Sequence, residues 1–131
     1  MKTYIHNNPK LPSTPEVMLN YVTGVCNISG HSYMEDSFGF YQPIIEWIEQ
    51  YTQRAKGALK WHISLGYFNS GTKGMLCKMF KRLKVYQDSQ GGEVSIHWYY
   101  QRQDDDDLLD DIESLMELSQ IEIHLHEFFV E

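Results

Sequence analysis

Apolar residues recur along this chain with two different spacings, and each spacing predicts one type of element. Extended runs in which apolar and polar positions alternate have the period of a strand with one buried face. These runs are residues 16–22, 25–29, 59–67, 94–100 and 121–126. We predict a strand in each, with a hairpin turn at Thr23-Gly24 between the first two. In the third run the apolar side extends from Leu59 to Tyr67.

Other segments place apolar residues three and four positions apart, which is typical of a helix with one buried face. These segments are residues 40–51, 75–83 and 108–116. We expect Asp36 or Ser37 to cap the first helix, with Pro43 near its start or at a bend. The acidic run from Asp104 to Asp107 opens the third helix and suits the positive end of the helix dipole.

The elements follow one another in the order β-β-α-β-α-β-α-β, which predicts a single-domain α/β fold across residues 1–131. Strands separated by helices imply right-handed crossovers and a mixed or largely parallel sheet. Strands that are buried on both faces read as continuous apolar runs, whereas these strands alternate. We therefore expect the helices to cover mainly one face of the sheet. Residues 1–15, with their prolines, are predicted to form an irregular N-terminal arm.

The spacing changes from strand to helix across Asn69-Ser70-Gly71-Thr72, so we predict a strand-to-helix turn there. Open α/β sheets place functional loops at the carboxyl ends of their strands. A hydroxyl at a helix start is well placed to carry a phosphate, because free N–H groups and the dipole favour negative charge. Gly71 permits close approach of another chain, and Lys73 adds a cation. The alternative is that Ser70 or Thr72 is only an N-cap, and the turn taken alone favours that simpler interpretation.

Charge and composition narrow the classes of function. Acidic residues outnumber basic ones by 18 to 11, for a formal charge of −7, which argues against binding to nucleic-acid phosphates. No run reaches the roughly 18 apolar residues that a membrane helix needs. The first residues lack the apolar core of a signal peptide, and Cys26 and Cys77 have no metal-ligand spacing. We expect a cytoplasmic protein without a cofactor and without a membrane or nucleic-acid partner.

Several short motifs occur in an order that is found in one known family. The motifs are Thr14-Pro15, Gly30-His31-Ser32-Tyr33-Met34-Glu35-Asp36, Phe40-Tyr41-Gln42-Pro43 with Trp47 and Tyr51, Tyr67-Phe68-Asn69-Ser70, and Trp98-Tyr99-Tyr100 with the acidic stretch after it. Together they resemble the SiaC-type regulatory phosphoproteins, a single-domain bacterial family similar to anti-sigma-factor antagonists. The resemblance covers nearly the whole chain. It departs from the family's usual Ser-Tyr-Pro-Glu-Asn loop at Met34 and Asp36, and Gly71 occupies a position that is commonly Ser.

This resemblance implies a non-enzymatic signalling protein that works as a phosphorylation-controlled partner switch. In the family, the hydroxyl residue after Tyr-x-Asn is phosphorylated by a serine/threonine protein kinase and dephosphorylated by a PP2C-like phosphatase. The matching residue in this chain is Ser70. The unphosphorylated form binds and activates an effector, a diguanylate cyclase, which implies a role in cyclic-di-GMP signalling. The partner-binding surface expected here comprises Tyr33, Glu35, Asn69, Ser70, Gly71, Thr72 and Lys73.

Two enzyme-like alternatives remain. Ser70 and Lys73 have the spacing of a Ser-x-x-Lys hydrolase pair, although such short matches are common by chance. Histidines on the polar side of three predicted strands would suit a metal site if those strands are neighbours. They are His62, His97, His124 and His126. Ordinary surface histidines are the simpler interpretation, and the Asp104 to Asp107 run lacks the spacing of a calcium-binding loop.

Several large apolar side chains divide into core and surface candidates. Trp47, Trp61 and Trp98 lie on apolar stripes, so we expect them in the core. Tyr33, Met34 and Phe38 lie near the start of the first helix, and we expect them to be exposed partner contacts.

Overall fold

The computed structural model describes residues 1–101 and 107–129. The strands are β1 (Tyr4–His6), β2 (Glu16–Leu19), β3 (Val25–Ser32), β4 (Leu59–Phe68), β5 (Val94–Gln101) and β6 (His124–Phe128). The helices are α1 (Ser37–Arg54), α2 (Ser70–Ser89) and α3 (Asp107–Ser119). From β2 onward, the order of strands and helices is the one predicted from the spacing of apolar residues.

The strands of the described residues form one six-stranded sheet in the order β1-β2-β3-β4-β5-β6. β1, β2 and β3 pair antiparallel, whereas β3, β4, β5 and β6 pair parallel. A helix joins each parallel pair, so the carboxyl ends of β3 to β6 meet at one edge of the sheet. The prediction of a mixed, largely parallel sheet is confirmed.

The helices pack on one face of this sheet. In β4, Trp61 and Ile63 are buried, whereas the alternate residues His62 and Ser64 are half-buried on the opposite face. Buried residues from all three helices join the buried strand residues in one core. Trp47, Trp61 and Trp98 belong to that core, as predicted. The period-two pattern of the strands therefore reflects one face covered by helices and one face of polar side chains.

Some strand boundaries differ from the sequence-based expectation. The predicted irregular arm contains β1, whose three residues pair with β2, and a strand of this length has no detectable period. β3 continues to Ser32, beyond the predicted end at Ser29, because it pairs with β4 as far as Phe68. The last strand begins at His124, and Ile121 is buried in the segment that precedes it.

The helix starts follow the capping residues. Asp36 caps α1, its carboxylate accepting the N–H of Gly39 at 2.9 Å, and Pro43 lies within the N-terminal half of that helix. Asp107 is the first residue of α3, and residues 104–106 of the acidic run lie outside the described residues. None of the described helices is both long enough and apolar enough to cross a bilayer.

A β-bulge near the end of β4 reverses the orientation expected for Tyr67. The pairing of β3 with β4 shifts register between Gly30 and His31, which leaves Gly66 as the extra residue on β4. Tyr67 is consequently 56% exposed, and Phe68 takes the buried position. The prediction that Tyr67 lies on the apolar side of the strand is wrong for this reason. The bulge places an aromatic ring at the surface, next to the turn that follows β4.

Candidate functional site

Ser70 is the first residue of α2 and is exposed. One residue, Asn69, connects it to β4, so the predicted strand-to-helix turn is confirmed. Asn69 is the N-cap of α2, and its side-chain oxygen accepts the N–H of Thr72 at 2.9 Å. The interpretation of Ser70 or Thr72 as the N-cap is therefore wrong, because Asn69 supplies the cap. The Ser70 hydroxyl is left accessible to another protein.

Thr72 lies on the opposite side of the turn and is fully buried. Its hydroxyl donates to the Ser32 carbonyl oxygen at 3.1 Å and shares a 2.8 Å hydrogen bond with the Ser32 hydroxyl. The Ser32 hydroxyl shares a second 2.8 Å hydrogen bond with the hydroxyl of Tyr41 on α1. Burial raises the pKa of Tyr41, more than the bond with Ser32 lowers it, so the phenol stays protonated and can donate. This chain of hydroxyls joins β3, α1 and the start of α2.

Asn69 attaches the turn to the segment after β3. Its backbone N–H donates to the Ser32 carbonyl at 3.1 Å, and its side-chain amide donates to the Met34 carbonyl at 3.2 Å. Met34 is only 9% exposed, and its sulfur lies 3.7 Å from the Thr72 hydroxyl oxygen. The prediction of Met34 as an exposed partner contact is therefore wrong, because its side chain closes the buried hydroxyl cluster.

The Lys73 ammonium is directed toward α3. Its Nζ lies 3.3 Å from Oδ1 of Asp111, and both side chains are partly exposed. Asp111 also lines a groove beside Ser70, together with Asn69 and Leu108. The groove has a volume of about 720 Å³, which is ample for a phosphoryl group. Because the hydrogen bond of Lys73 Nζ runs to Asp111, the geometry does not support Lys73 as a base for a Ser70 nucleophile.

Three exposed aromatic side chains lie near this turn, and we call them the aromatic rim: Tyr33, Phe38 and Tyr67. They are 44%, 57% and 56% exposed, respectively. The rings of Tyr33 and Tyr67 are 6.1 Å apart between centroids, and the Lys78 ammonium lies 5.9 Å from the Phe38 centroid. Exposed aromatic residues are frequent anchors of protein interfaces. Glu35, between the end of β3 and α1, is exposed as well.

Gly71 allows the starts of α1 and α2 to approach closely. A Cβ atom built on Gly71 would lie 2.6 Å from the hydroxyl oxygen of Ser37, the first residue of α1. The close approach expected at Gly71 is therefore made by this chain's own first helix. It places Phe38, the next residue of α1, near the Ser70 turn.

The structure brings the predicted partner-binding residues to one edge of the sheet but does not expose all of them. Tyr33, Glu35, Ser70 and Gly71 are exposed, and Asn69 and Lys73 are half-buried. Thr72 is buried, so it serves this surface only by holding the turn in place.

The four histidines singled out from the sequence lie together on the sheet face opposite the helices, which we call the open face. His62, His97 and His124 are in register across β4, β5 and β6. Nδ1 of His97 and Nε2 of His126 share a 2.8 Å hydrogen bond, and Nδ1 of His62 shares one of 2.8 Å with the Tyr99 hydroxyl. Among the described residues, no three histidine, cysteine or acidic side chains are arranged to hold a metal ion. The histidines form a cluster because they lie on the same side of three neighbouring strands. Their geometry does not support a metal site.

The sequence patterns did not indicate a role for Asp111 or Tyr41 in this site, and they did not predict the contact of Ser32 with Thr72. Lys73 and Asp111 are 38 residues apart in the chain, and Thr72 and Ser32 are 40 residues apart. Local spacing carries no signal of such contacts. A signal for the exposure of Tyr67 was present, because a glycine inside a strand, here Gly66, often marks a bulge.

Comparisons with known proteins agree with this fold and with the sequence motifs. A sequence model for the SiaC family regulatory phosphoprotein matches residues 8–128. An uncharacterized protein of Pseudomonas aeruginosa (strain UCBPP-PA14) is 26% identical over 98 residues, which are 74% of this chain and 76% of that protein. SiaC of Pseudomonas aeruginosa has a TM-score of 0.84 at 20% identity, with 99% of this chain and 100% of that chain covered.

A second match is a chain in the crystal structure of diguanylate cyclase SiaD in complex with its activator SiaC, from the same organism. Its TM-score is 0.83 at 20% identity, with 95% of this chain and 99% of that chain covered. At this identity the structural likeness shows a shared fold. The family match adds that these are regulatory phosphoproteins, which confirms the prediction of a signalling protein rather than an enzyme. Since that match extends over residues 8–128, the chain belongs to the SiaC family of regulatory phosphoproteins.

Proposed function

We propose that this protein is a partner switch controlled by phosphorylation of Ser70. Its partner-binding surface consists of the Ser70 turn, Glu35 and the aromatic rim. The observation that carries the proposal is that Ser70 is exposed at the first position of α2, whereas Thr72, the other hydroxyl residue of the turn, is buried. A kinase can reach the first hydroxyl without disturbing the fold.

The modification is a reversible transfer of a phosphoryl group. A cognate serine/threonine kinase moves the γ-phosphoryl group of ATP to Ser70 Oγ, so an O–P bond forms, ADP leaves, and the hydroxyl proton passes to a base of the kinase. A PP2C-like phosphatase hydrolyses the ester, which releases inorganic phosphate and restores the hydroxyl. Both enzymes follow from the resemblance to the family, and the proposed location is the cytoplasm, where ATP is present.

The unmodified surface binds an effector protein. In Pseudomonas aeruginosa, SiaC is an activator of diguanylate cyclase SiaD and forms a complex with it. A diguanylate cyclase is therefore the effector that we propose for this chain. Tyr33 and Tyr67 provide adjacent exposed rings that can enter pockets of such a partner.

Electrostatics gives the direction of the switch. Phosphoserine carries about −1.5 to −2 charges at neutral pH. At the first position of α2 this charge meets the positive end of the helix dipole, an interaction worth about 0.3–1 kcal/mol, so the fold tolerates it. A partner that fits the neutral turn must instead desolvate the phosphate without matching charges. A penalty of about 3 kcal/mol weakens binding more than a hundredfold.

The test is to measure effector binding by calorimetry with purified Ser70→Ala, Ser70→Glu and phosphorylated protein. We expect Ser70→Ala to bind whether or not the kinase is present. Ser70→Glu and the phosphorylated protein should bind weakly, with phosphate the more severe of the two because of its larger charge. Tighter binding of the phosphorylated protein would show that the direction of the switch is wrong.

The acceptor is identified by mass spectrometry after treatment with the cognate kinase. We expect the phosphate on Ser70, and we expect Thr72→Ala to retain regulation, since the Thr72 hydroxyl is buried and hydrogen-bonded. A phosphate on Thr72 with Ser70 unmodified would contradict the assignment.

A further inference from the structure

The ion pair of Lys73 with Asp111 lies beside Ser70, and it has no role in the switch proposed above. Ser70 and Asp111 line the same groove, and Asp111 on α3 holds the Lys73 ammonium on α2 at 3.3 Å. α3 packs against α2, so this pair lies at the contact between the two helices. The side chains of Lys73 and Asp111 are 29% and 43% exposed, which leaves the pair free to rearrange.

Lys73 is within reach of Ser70 along α2. The two residues are three positions apart on the helix, and residues at this spacing are neighbours on the helix surface. A phosphate on Ser70 has more negative charge than one carboxylate, and it offers three acceptor oxygens where Asp111 offers two. The ammonium therefore gains more from the phosphate than from Asp111.

We propose that a phosphate on Ser70 binds the Lys73 ammonium in place of Asp111. The loss of the ion pair with Asp111 weakens the contact of the N-terminal half of α3 with α2. The proposal rests on the phosphorylation of Ser70 proposed above and states how that modification changes the shape of the molecule. Once Lys73 turns to the phosphate, the Asp111 carboxylate shares the groove with a dianion, and the two negative charges repel each other. The phosphorylated surface thus differs from the unmodified one in geometry as well as in charge.

The experiment uses the full chain with phosphoserine placed at position 70 during synthesis, so it does not depend on the kinase. Mass spectrometry confirms the modification, and hydrogen exchange of peptides from α3 is compared with that of the unmodified protein. We expect exchange in the first turns of α3 to accelerate several-fold, while the core strands β4 and β5 keep their protection. Unchanged exchange in α3 would overturn the proposal.

Two variants separate this mechanism from a general effect of charge. In Asp111→Asn, the pair is already weakened, so the unmodified protein should show the faster exchange of α3, and phosphate should add little. In phosphorylated Lys73→Met, the phosphate loses its cation, so phosphorus NMR should show its second pKa raised relative to the phosphorylated parent. The same phosphate titration in both proteins would show that Lys73 does not bind the phosphate.

A matched control is available on α2. The partly exposed pair Lys84–Asp88, with 3.4 Å between Nζ and Oδ1, lies far along the helix from Ser70. Asp88→Asn should leave both the α3 exchange and the phosphate titration unchanged.

Effector binding of the same samples distinguishes this coupling from the switch itself. Weak effector binding together with unchanged α3 exchange would reject the coupling and retain the switch. Faster α3 exchange with full effector binding would reject the switch and retain the coupling.

Discussion

Ser70 and Thr72 belong to one turn of helix, yet Ser70 faces solvent and Thr72 faces the core. Two residues of an α-helix separated by one position are rotated by about 200° around the axis, which sends their side chains to opposite sides. The Asn69 cap sets where this rotation begins. At the residue scale, the choice of cap therefore decides which of the two hydroxyls is exposed.

The buried hydroxyl cluster makes a measurable contribution to stability. We expect Thr72→Val to lower the free energy of unfolding by about 1–3 kcal/mol, because the carbonyl and hydroxyl of Ser32 lose a buried partner. Thr72→Ser keeps the hydroxyl and loses one methyl group, a loss of about 0.8 kcal/mol. Urea unfolding of both variants is the measurement. Unchanged stability of Thr72→Val would show that the hydroxyl network has no stabilising role.

At the scale of elements, the parallel pairing of β4, β5 and β6 stacks imidazole rings on the open face. Ring centroids of His97 lie 5.7 Å from His62, 5.0 Å from His124 and 5.1 Å from His126. Partial burial lowers the pKa of His97, and the charges of these three histidines and of Lys60 lower it further. Burial, Lys60 and His126 lower the pKa of His62 in the same way. The Tyr99 hydroxyl shares a hydrogen bond with His62, and the Glu122 carboxylate lies 3.8 Å from Nδ1 of His124.

The stacked histidines of the open face predict that the free energy of unfolding decreases in mild acid. The pKa values of His62 and His97 are lower in the folded protein than in the unfolded chain, where histidine titrates near ~6.5. The unfolded chain therefore binds more protons as the pH falls, so the stability is complete above the unfolded pKa and is lost as the pH falls through the folded values. Urea midpoints between pH 7.5 and 5 measure the effect. His97→Asn should flatten the curve.

The whole molecule places its helices on one face of the sheet and the Ser70 turn, the proposed switch, at the carboxyl edge of the parallel strands. Ser70 is outside the core, so a charge there acts on the surface, on the helix dipole and on the contact between α2 and α3, and it leaves the packing of the core intact. This separation allows a modification to change binding while the global fold persists.

Thermal unfolding tests whether a charge at position 70 leaves the global fold intact. Ser70→Glu puts a negative charge at the positive end of α2, worth about 0.3–1 kcal/mol, so its melting temperature should stay within about 5 °C of the parent protein. Ser89→Glu, at the opposite end of the same helix, is the matched control and should shift the melting temperature downward. A large loss of stability in Ser70→Glu would mean that effector binding is lost through unfolding.

Local patterns determined much of this protein. The order of elements from β2 onward, the burial of Trp47, Trp61 and Trp98, and the turn before α2 were all predicted from the chain. Their causes are periodicity, capping and turn chemistry, which act within a few residues. The family motifs likewise lie in short segments of the chain.

Contacts between distant segments decided the rest. The tie from Thr72 to Ser32 and the pair of Lys73 with Asp111 join residues far apart in sequence. The bulge that exposes Tyr67 arises from the pairing of two strands, and a period of two cannot foresee a shift of register. The register that aligns the histidines has the same origin. The sequence therefore determined the elements and the position of the Ser70 turn, and only the packing of strands and helices decided which side chains surround it.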